Sequence, residues 1–209
     1  MKDKIKNIIF DFGGVVFNID ERLTLNAFAK LYHCSTDEIL ALLQQDNLFN
    51  RFECGEISIP DFLQYLQDKA SAPISQDDII AAWNAILVGY PPQHIPLLLA
   101  LKKKYRTFLL SNTNAIHTME FPKIAQRQQL GITSNHDMFE KVWYSNEIGM
   151  RKPNPEIFKF ALQDANLVAD ETLFVDDLAD NVAAAATLGI HTIQITKENS
   201  IMHVFADWI

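Results

Sequence analysis

The sequence predicts an α/β fold, with a core built on a parallel β-sheet and a helical section inserted near its beginning. Beyond residue 93, short apolar runs rich in β-branched and aromatic residues alternate with helical patterns. This order is typical of parallel strands joined by right-handed crossovers. Residues 21–92 show helical patterns alone. The chain has 209 residues, of which 48% are hydrophobic, and this suffices for one large domain or for a core with a small insert.

The first strand is predicted within residues 5–16, an apolar run that carries Asp11 and continues into Gly13 and Gly14. The run has the length of a strand and no helical periodicity, so we expect a central parallel strand with Asp11 at its carboxyl end. A carboxylate in a buried run is costly unless it is paired, bound to a metal or placed at the end of the run. Ligands bind at that end of open α/β sheets, which favours a chemical role for Asp11 over the alternative of a turn-capping residue.

The inserted section predicts a small bundle of helices. Leu23, Ala27 and Leu31 fall on one helical face by their i, i+4 spacing. Helix starts are indicated by three serines, each with an acidic residue three positions later: Ser35 with Glu38, Ser58 with Asp61, and Ser75 with Asp78. Residues 49–58 mix aromatic, charged and glycine residues, a composition found in functional loops and in ordinary turns alike. The paired prolines that follow residue 90 mark the end of the section.

Strand and helix patterns alternate through the rest of the chain. Asn154 followed by Pro155 predicts the N-cap and first turn of a helix. The other elements are predicted from their apolar patterns, with strands at 106–112, 142–145, 173–177 and 191–195, and helices at 95–104, up to 130, at 155–167 and at 182–188.

Three of the predicted strands end in polar residues, namely Asp11, Ser111 with Asn112, and Asp176 with Asp177. Parallel strands bring such ends to one edge of a sheet. Carboxylates gathered there repel one another unless a cation or a proton separates them, and Mg²⁺ takes one or two carboxylates together with water and phosphate oxygens. Lys152, in the loop 149–153, could balance these carboxylates and bind a phosphate oxygen, and the alternative is a solvated loop lysine.

Composition narrows the possible partners and compartment. The formal net charge of −8 and the absence of a basic stripe argue against binding to nucleic acid. The two cysteines, Cys34 and Cys54, lack metal-type spacing and are too few for a disulfide framework. We see no secretory signal and no apolar run of bilayer length. We therefore expect a soluble cytoplasmic protein without nucleic-acid or membrane partners, monomeric or weakly homodimeric, that acts on a small molecule.

Four segments together resemble the ordered motifs of the haloacid dehalogenase-like (HAD) hydrolase superfamily, and their details are similar to its subgroup of glucose-1-phosphate phosphatases. The segments are Asp11–Val15, Ser111–Asn114, Gly149–Pro153 and Asp176–Asn181. The resemblance implies a Rossmann-like core formed by residues 1–20 and 93–209 and a helical cap domain formed by residues 21–92. It also implies a phosphatase that acts on a small phosphorylated metabolite, such as a sugar phosphate.

The resemblance further implies roles for individual residues. Asp11 would be the nucleophile and form an aspartyl-phosphate that water then hydrolyses. Mg²⁺ would be held by Asp11, the backbone carbonyl of Gly13 and Asp177, with Asp176 in or beside the coordination shell. The remaining roles follow the motifs: Ser111 and Lys152 are catalytic and bind the phosphoryl oxygens, Asn112 and Arg151 contribute to substrate binding, and Asp180 and Asn181 orient the metal ligands and waters.

One position departs from the superfamily pattern. Its phosphatases usually carry a second aspartate two residues after the nucleophile, which protonates the leaving group and later activates water, and here that position is Gly13. General acid–base help contributes roughly a hundred- to ten-thousand-fold to the rate. Either the leaving group departs easily, as an anomeric sugar hydroxyl does in a 1-phosphate, or Glu53 or Glu56 supplies the acid when the cap closes.

Two other functions fit parts of the sequence. A 2-haloacid dehalogenase uses the same nucleophile without a metal, but the paired acids Asp176 and Asp177 would hinder a carboxylate substrate and are better suited to a cation. A catalytically weak relative that serves as a binding or regulatory module is suggested by Gly13 alone. Metal-dependent turnover of a phosphate ester distinguishes the phosphatase from both.

Overall fold

The computed structural model describes residues 2–209, with every side chain in that range except that of Asp46. Five strands form one parallel sheet in the order β5-β4-β1-β6-β7, and two short strands form an antiparallel ribbon in the order β2-β3. The strands are β1 (Asn7–Phe10), β2 (Asn18–Ile19), β3 (Leu87–Gly89), β4 (Arg106–Ser111), β5 (Lys141–Tyr144), β6 (Thr172–Asp176) and β7 (His191–Gln194). The predicted α/β class with a parallel sheet is confirmed.

Eleven α-helices are described within this range. They are α1 (Glu21–Tyr32), α2 (Thr36–Gln44), α3 (Leu48–Glu53), α4 (Ile59–Lys69), α5 (Gln76–Asn84), α6 (His94–Lys102), α7 (Ala115–Arg127), α8 (Ser145–Ile148), α9 (Pro155–Asp164), α10 (Ala179–Ala186) and α11 (Ile201–Val204). The predicted serine caps are present, because the side chains of Ser35, Ser58 and Ser75 each accept a hydrogen bond from the backbone three residues later. None of these helices combines the length and the apolar character required to cross a bilayer.

Strand β1 lies at the centre of the sheet, hydrogen-bonded to β4 on one side and to β6 on the other. Its side chains alternate between two hydrophobic layers. Phe10 packs into a cluster with residues of α6, α7 and α11, whereas Ile9 packs into a second cluster with residues of α9 and α10. Along the chain, β4 and β5 are added on one side of β1, and β6 and β7 are added on the other. Open α/β sheets bind their ligands where the strand order reverses in this way.

Helices α1–α5, which we call the cap helices, enclose a third hydrophobic cluster. The helical face predicted for α1 is wrong by one residue. Leu23 is exposed, and the buried face carries Thr24, Phe28 and Tyr32. This face is selected by polar contacts as well as by apolar area, because the Tyr32 hydroxyl donates to the Leu66 carbonyl and the Thr24 hydroxyl contacts the carbonyls of α5.

The β2–β3 ribbon carries the chain into and out of the cap helices. Asn18 pairs with Gly89, and Ile19 pairs with Leu87. The expectation that residues 21–92 form helices alone is wrong at Leu87–Gly89, since this strand depends on a partner about seventy residues away and has no local signal. The division into a core of residues 1–20 and 93–209 and a cap of residues 21–92 stays a prediction.

Candidate active site

A lysine joins two carboxylates at the carboxyl edge of the sheet. The Lys152 ammonium lies 2.5 Å from Oδ1 of Asp11 and 2.7 Å from Oδ2 of Asp176. Asp11 follows β1 directly and is 8% exposed, and Lys152 is 1% exposed. Buried ion pairs of this kind need close geometry to offset the loss of water. The structure thus brings together Asp11, Asp176 and Lys152, which come from three separate segments of the chain.

Asp176, the last residue of β6, is fully buried and surrounded by hydrogen-bond donors. Its Oδ1 accepts from the backbone N–H of Leu178 at 2.8 Å and from the Asn181 amide at 3.0 Å. Its Oδ2 accepts from Asn181 at 3.0 Å as well as from Lys152. With both oxygens engaged, Asp176 is held in one orientation, an arrangement that suits a residue beside a metal's ligands.

Asp177 completes a group of three carboxylates. One oxygen from each of Asp11, Asp176 and Asp177 lies within 4.8 Å of the others. Gly14 allows this approach, because it has a left-handed backbone (φ 79°) and a Cβ at that position would lie 2.5 Å from Oδ2 of Asp177. Carboxylate oxygens are the donors that Mg²⁺ takes, so the residues present fit the predicted metal.

Burial and charge shift the pKa values of this group. Burial, together with the neighbouring Asp176, raises the pKa of Asp11 to about 7, although Lys152 opposes the shift. Burial and then Asp176 also raise the pKa of Asp177. For Lys152, burial lowers the pKa, but Asp11 and Asp176 outweigh burial and raise it above its ordinary value. Lys152 therefore stays cationic, and a divalent cation beside Asp177 would offset the remaining repulsion among the carboxylates.

Ser111 and Asn112 stand at the end of β4, next to β1 in the sheet. Asn112 holds the backbone of Lys152 on both sides of the residue. Its amide nitrogen donates to the Lys152 carbonyl, and its amide oxygen accepts from the Lys152 N–H, both at 2.9 Å. The Asn112 side chain, which the sequence assigns to substrate binding, is thus engaged in positioning Lys152. The Ser111 hydroxyl has one long contact, 3.4 Å to the Asn112 carbonyl.

Arg151 and Glu53 form an ion pair between a core loop and the cap helices. The Nε and Nη2 atoms of Arg151 lie 3.2 and 3.0 Å from a single oxygen, Oε2 of Glu53. Glu53 is 6% exposed, whereas Glu56 is exposed and contacts the exposed Arg51 at 3.4 Å. The structure therefore separates the two glutamates that the sequence left as alternatives, since Glu53 contacts the loop that carries Lys152 and Glu56 lies on the surface.

The two last motif residues differ in their surroundings. The Asn181 side chain contacts Asp176, as its predicted orienting role requires. Asp180 is exposed at the start of α10 and borders a cavity of about 270 Å³ that Asn112, Arg151 and Lys152 also line. This cavity therefore lies beside the lysine that joins the two carboxylates.

A second cavity, of about 320 Å³, lies between the cap helices and the start of α7. Its inner wall is formed by Trp83 and His117, whose rings stack at 5.7 Å, and its lining also includes Leu25, Leu43 and Ile86. Glu21 lies in this lining, and its charge contributes to the raised pKa of Asp177. The lining consists mainly of residues of the cap helices.

The sequence did not predict the hydrogen bonds that hold Trp83 and His117 in place. Asn114 caps α7, and its Oδ1 accepts from the Trp83 indole at 3.2 Å and from the His117 N–H at 3.1 Å. Asn114 also contacts Nδ1 of His117, and Nε2 of His117 contacts the Trp83 carbonyl at 3.2 Å. An asparagine ahead of a helical pattern is an N-cap signal, but its indole partner lies in the cap helices and could not be inferred.

Comparison with known proteins places these features in one family. The model of the haloacid dehalogenase-like hydrolases matches residues 5–189. The chain belongs to this family. The chain is 34% identical to the D-ribitol-5-phosphate phosphatase of Bacteroides thetaiotaomicron, over 98% of this chain and 95% of that protein. It is 40% identical to the glyceraldehyde 3-phosphate phosphatase of Methanocaldococcus jannaschii, over 92% and 86%.

A crystal structure of a HAD-family enzyme from Bacteroides thetaiotaomicron, in complex with magnesium and inorganic phosphate, is also similar. It superposes with a TM-score of 0.87 at 36% identity and covers 96% of this chain and 99% of that one. The predicted HAD-like fold and the predicted class, a hydrolase of phosphoric monoesters, are confirmed. The finer assignment to glucose-1-phosphate phosphatases stays a prediction.

Proposed function

We propose that this protein is a Mg²⁺-dependent phosphatase that hydrolyses a small phosphorylated sugar or polyol through an aspartyl-phosphate. The observation that carries the proposal is the Lys152 bridge between Asp11 and Asp176, with Asp177 close enough to complete a cation site. Mg²⁺ is the cofactor, held by Asp11, Asp177 and the Gly13 carbonyl, with Asp176 beside it. When bound, the metal neutralises the carboxylates and the charge on the phosphoryl oxygens.

The protein's own side chains supply the nucleophile, the positive charge that binds the phosphoryl group, and the contacts that hold these groups in position. Asp11 attacks phosphorus with a carboxylate oxygen while Lys152 binds a phosphoryl oxygen, an electrostatic role suited to a preorganised cation. Ser111 offers a hydroxyl to the same group, and Asn112 keeps Lys152 in place. Water then attacks the aspartyl-phosphate and frees Asp11. The cap helices exclude bulk water and position the leaving group, a gating role.

The preferred substrate depends on how easily its leaving group departs. The similar phosphatases act on ribitol 5-phosphate and glyceraldehyde 3-phosphate, and the Gly13 departure led us to expect glucose 1-phosphate. A panel of these three esters with glucose 6-phosphate separates the possibilities by kcat/KM. A marked preference for glucose 1-phosphate over glucose 6-phosphate supports the anomeric leaving group, whereas equal values exclude that reasoning.

The decisive assay uses p-nitrophenyl phosphate, with and without Mg²⁺, on the wild type and on Asp11→Asn. We expect turnover only with the metal and a loss of at least about a thousandfold in Asp11→Asn, since the amide is no nucleophile. Metal-independent turnover would favour dehalogenase-like chemistry instead. No turnover on any ester in the panel would leave the binding module as the better account.

A further inference from the structure

Gly13 has no side chain that could protonate a leaving oxygen, so an ester with a poor leaving group needs an acid from elsewhere. The group must lie near Lys152 and Asp11, carry a proton at neutral pH and have an oxygen or nitrogen free to face the substrate. Three candidates other than Glu53 border the site. His117 uses both ring nitrogens in hydrogen bonds, and Glu21 and Asp180 are exposed.

Glu53 is buried against the loop that carries Lys152, and its contacts leave one carboxyl oxygen free. Both hydrogen bonds from Arg151 reach Oε2, and Oε1 has no hydrogen-bond partner among the described side chains and backbone. A carboxyl group in this arrangement can accept from Arg151 through its carbonyl oxygen while Oε1 carries the proton. Arg151 directly precedes Lys152 in the chain, so the ion pair holds the Glu53 carboxyl group beside the loop that carries Lys152.

The backbone after Glu53 is also fixed against the core. Gly55 has a left-handed backbone (φ 68°), and a Cβ there would overlap the carbonyl oxygen of Asn146 in α8. The neighbouring Ser145 hydroxyl bonds to both the N–H and the carbonyl of Thr113, in the loop that follows Ser111 and Asn112. The segment that carries Glu53 thus packs against α8, and α8 is hydrogen-bonded to the loop that follows Ser111 and Asn112.

We propose that Glu53 is the general acid and base of the reaction, in place of the side chain that Gly13 lacks. This assignment rests on the proposed phosphatase function. Independently of this geometry, burial raises the pKa of Glu53 despite the opposing charges of Arg151 and Lys152.

The two half-reactions balance with Glu53 in this role. Asp11 forms a bond to phosphorus as the ester P–O bond breaks, and the leaving oxygen keeps the electron pair and takes the proton from Oε1. Glu53, now a carboxylate, then removes a proton from the water that attacks the aspartyl-phosphate. The bond between phosphorus and Asp11 breaks, its electron pair returns to Asp11, and inorganic phosphate leaves. Glu53 ends protonated, as it began.

The test compares two leaving groups in Glu53→Gln. Nitrophenolate departs without a proton, whereas the primary alcohol of an alkyl phosphate needs one. The alkyl probe is the ester among ribitol 5-phosphate, glyceraldehyde 3-phosphate and glucose 6-phosphate that the wild type turns over best. We expect kcat/KM for this ester to fall about a hundred- to ten-thousand-fold, and for p-nitrophenyl phosphate to fall by no more than about tenfold.

A second readout follows the base role. Because Glu53→Gln also slows hydrolysis of the aspartyl-phosphate, mixing it with p-nitrophenyl phosphate should release a burst of nitrophenolate close to one equivalent per enzyme, followed by slow turnover. Glu53→Asp keeps a carboxyl group but withdraws it by one methylene, and should show an intermediate loss on the alkyl ester. Thermal unfolding of each variant reports whether the fold is retained.

Glu56→Gln is the matched control, since this surface glutamate lies three residues away, and both substrates should stay within about twofold of the wild type. Equal losses on both substrates in Glu53→Gln, or a selective loss in Glu21→Gln instead, would overturn the assignment of the acid while leaving the phosphatase intact. A wild type that hydrolyses no ester, even with Mg²⁺, would overturn the proposed function and the acid together.

Discussion

His117 should make the protein less stable as the pH falls from 6.5 to 4. Burial lowers the pKa of this histidine from 6.5 to about 4, although its contact with the Trp83 carbonyl opposes the shift. Its ring is neutral in the fold, with Nε2 donating to that carbonyl and Nδ1 accepting from the Asn114 amide. The unfolded chain therefore binds the proton more readily between these two pH values, and protonation favours unfolding there.

The size of the effect follows from the two pKa values. At pH 5 the unfolded imidazole is mostly protonated and the folded one is mostly neutral, which lowers the free energy of unfolding by about 2 kcal/mol relative to pH 7.5. Urea unfolding at pH 5 and pH 7.5 measures this difference in the wild type and in His117→Gln, whose amide does not titrate. The difference should shrink by about 2 kcal/mol in the variant, and it should persist in His203→Gln, an exposed control. An unchanged pH dependence in His117→Gln would refute the reasoning.

Three further changes bear on the catalytic edge. Gly13→Asp should restore alkyl-phosphate turnover to Glu53→Gln by at least about tenfold, since its Cβ meets only the flexible end of Ile19, at 3.1 Å; no gain in that background would count against a missing acid. Lys152→Met should lower kcat/KM for p-nitrophenyl phosphate by roughly a hundred- to a thousandfold, because a cation on the phosphoryl oxygens is lost, and a loss below tenfold would contradict this role. Gly14→Ala should raise the Mg²⁺ concentration for half-maximal activity by about ten- to a hundredfold, because the methyl group displaces Asp177; an unchanged metal requirement would exclude Asp177 as a ligand.

The convergence of the strand ends could be predicted because it depends on short-range patterns. Each of β1, β4 and β6 is a buried run that ends in polar residues, and parallel pairing alone brings Asp11, Ser111 and Asp176 to one edge. The place of Lys152 could not be derived in this way. Its charge suggested a partner for the carboxylates, but a solvated loop lysine remained the alternative, because Lys152 reaches Asp11 across 141 residues from a loop. The resemblance to a known family then favoured the site.

The cap helices show the limits of periodicity. The apolar spacing of Leu23, Ala27 and Leu31 suggested a buried face, yet Thr24 is buried in place of Leu23. The Thr24 hydroxyl donates to the Ala82 and Trp83 carbonyls and accepts from the Ile86 N–H. A polar residue thus satisfies the backbone groups at the end of α5. A single sequence does not carry the information that such a hydroxyl will find its partners sixty residues away.

The pairing of Glu53 with Arg151 changes how the missing aspartate is understood. From the sequence, Gly13 left two explanations open: an ester whose leaving group departs easily, or an acid supplied by Glu53 or Glu56. In the structure, Glu53 of α3 lies beside Arg151, the residue that precedes Lys152. On our proposals, Asp11 supplies the nucleophile and Lys152 the cation at the carboxyl edge of the sheet, and the proton comes from α3. Alkyl phosphates then become substrates only while the cap helices rest on the core, so the proton is supplied in the closed enzyme, where bulk water is excluded.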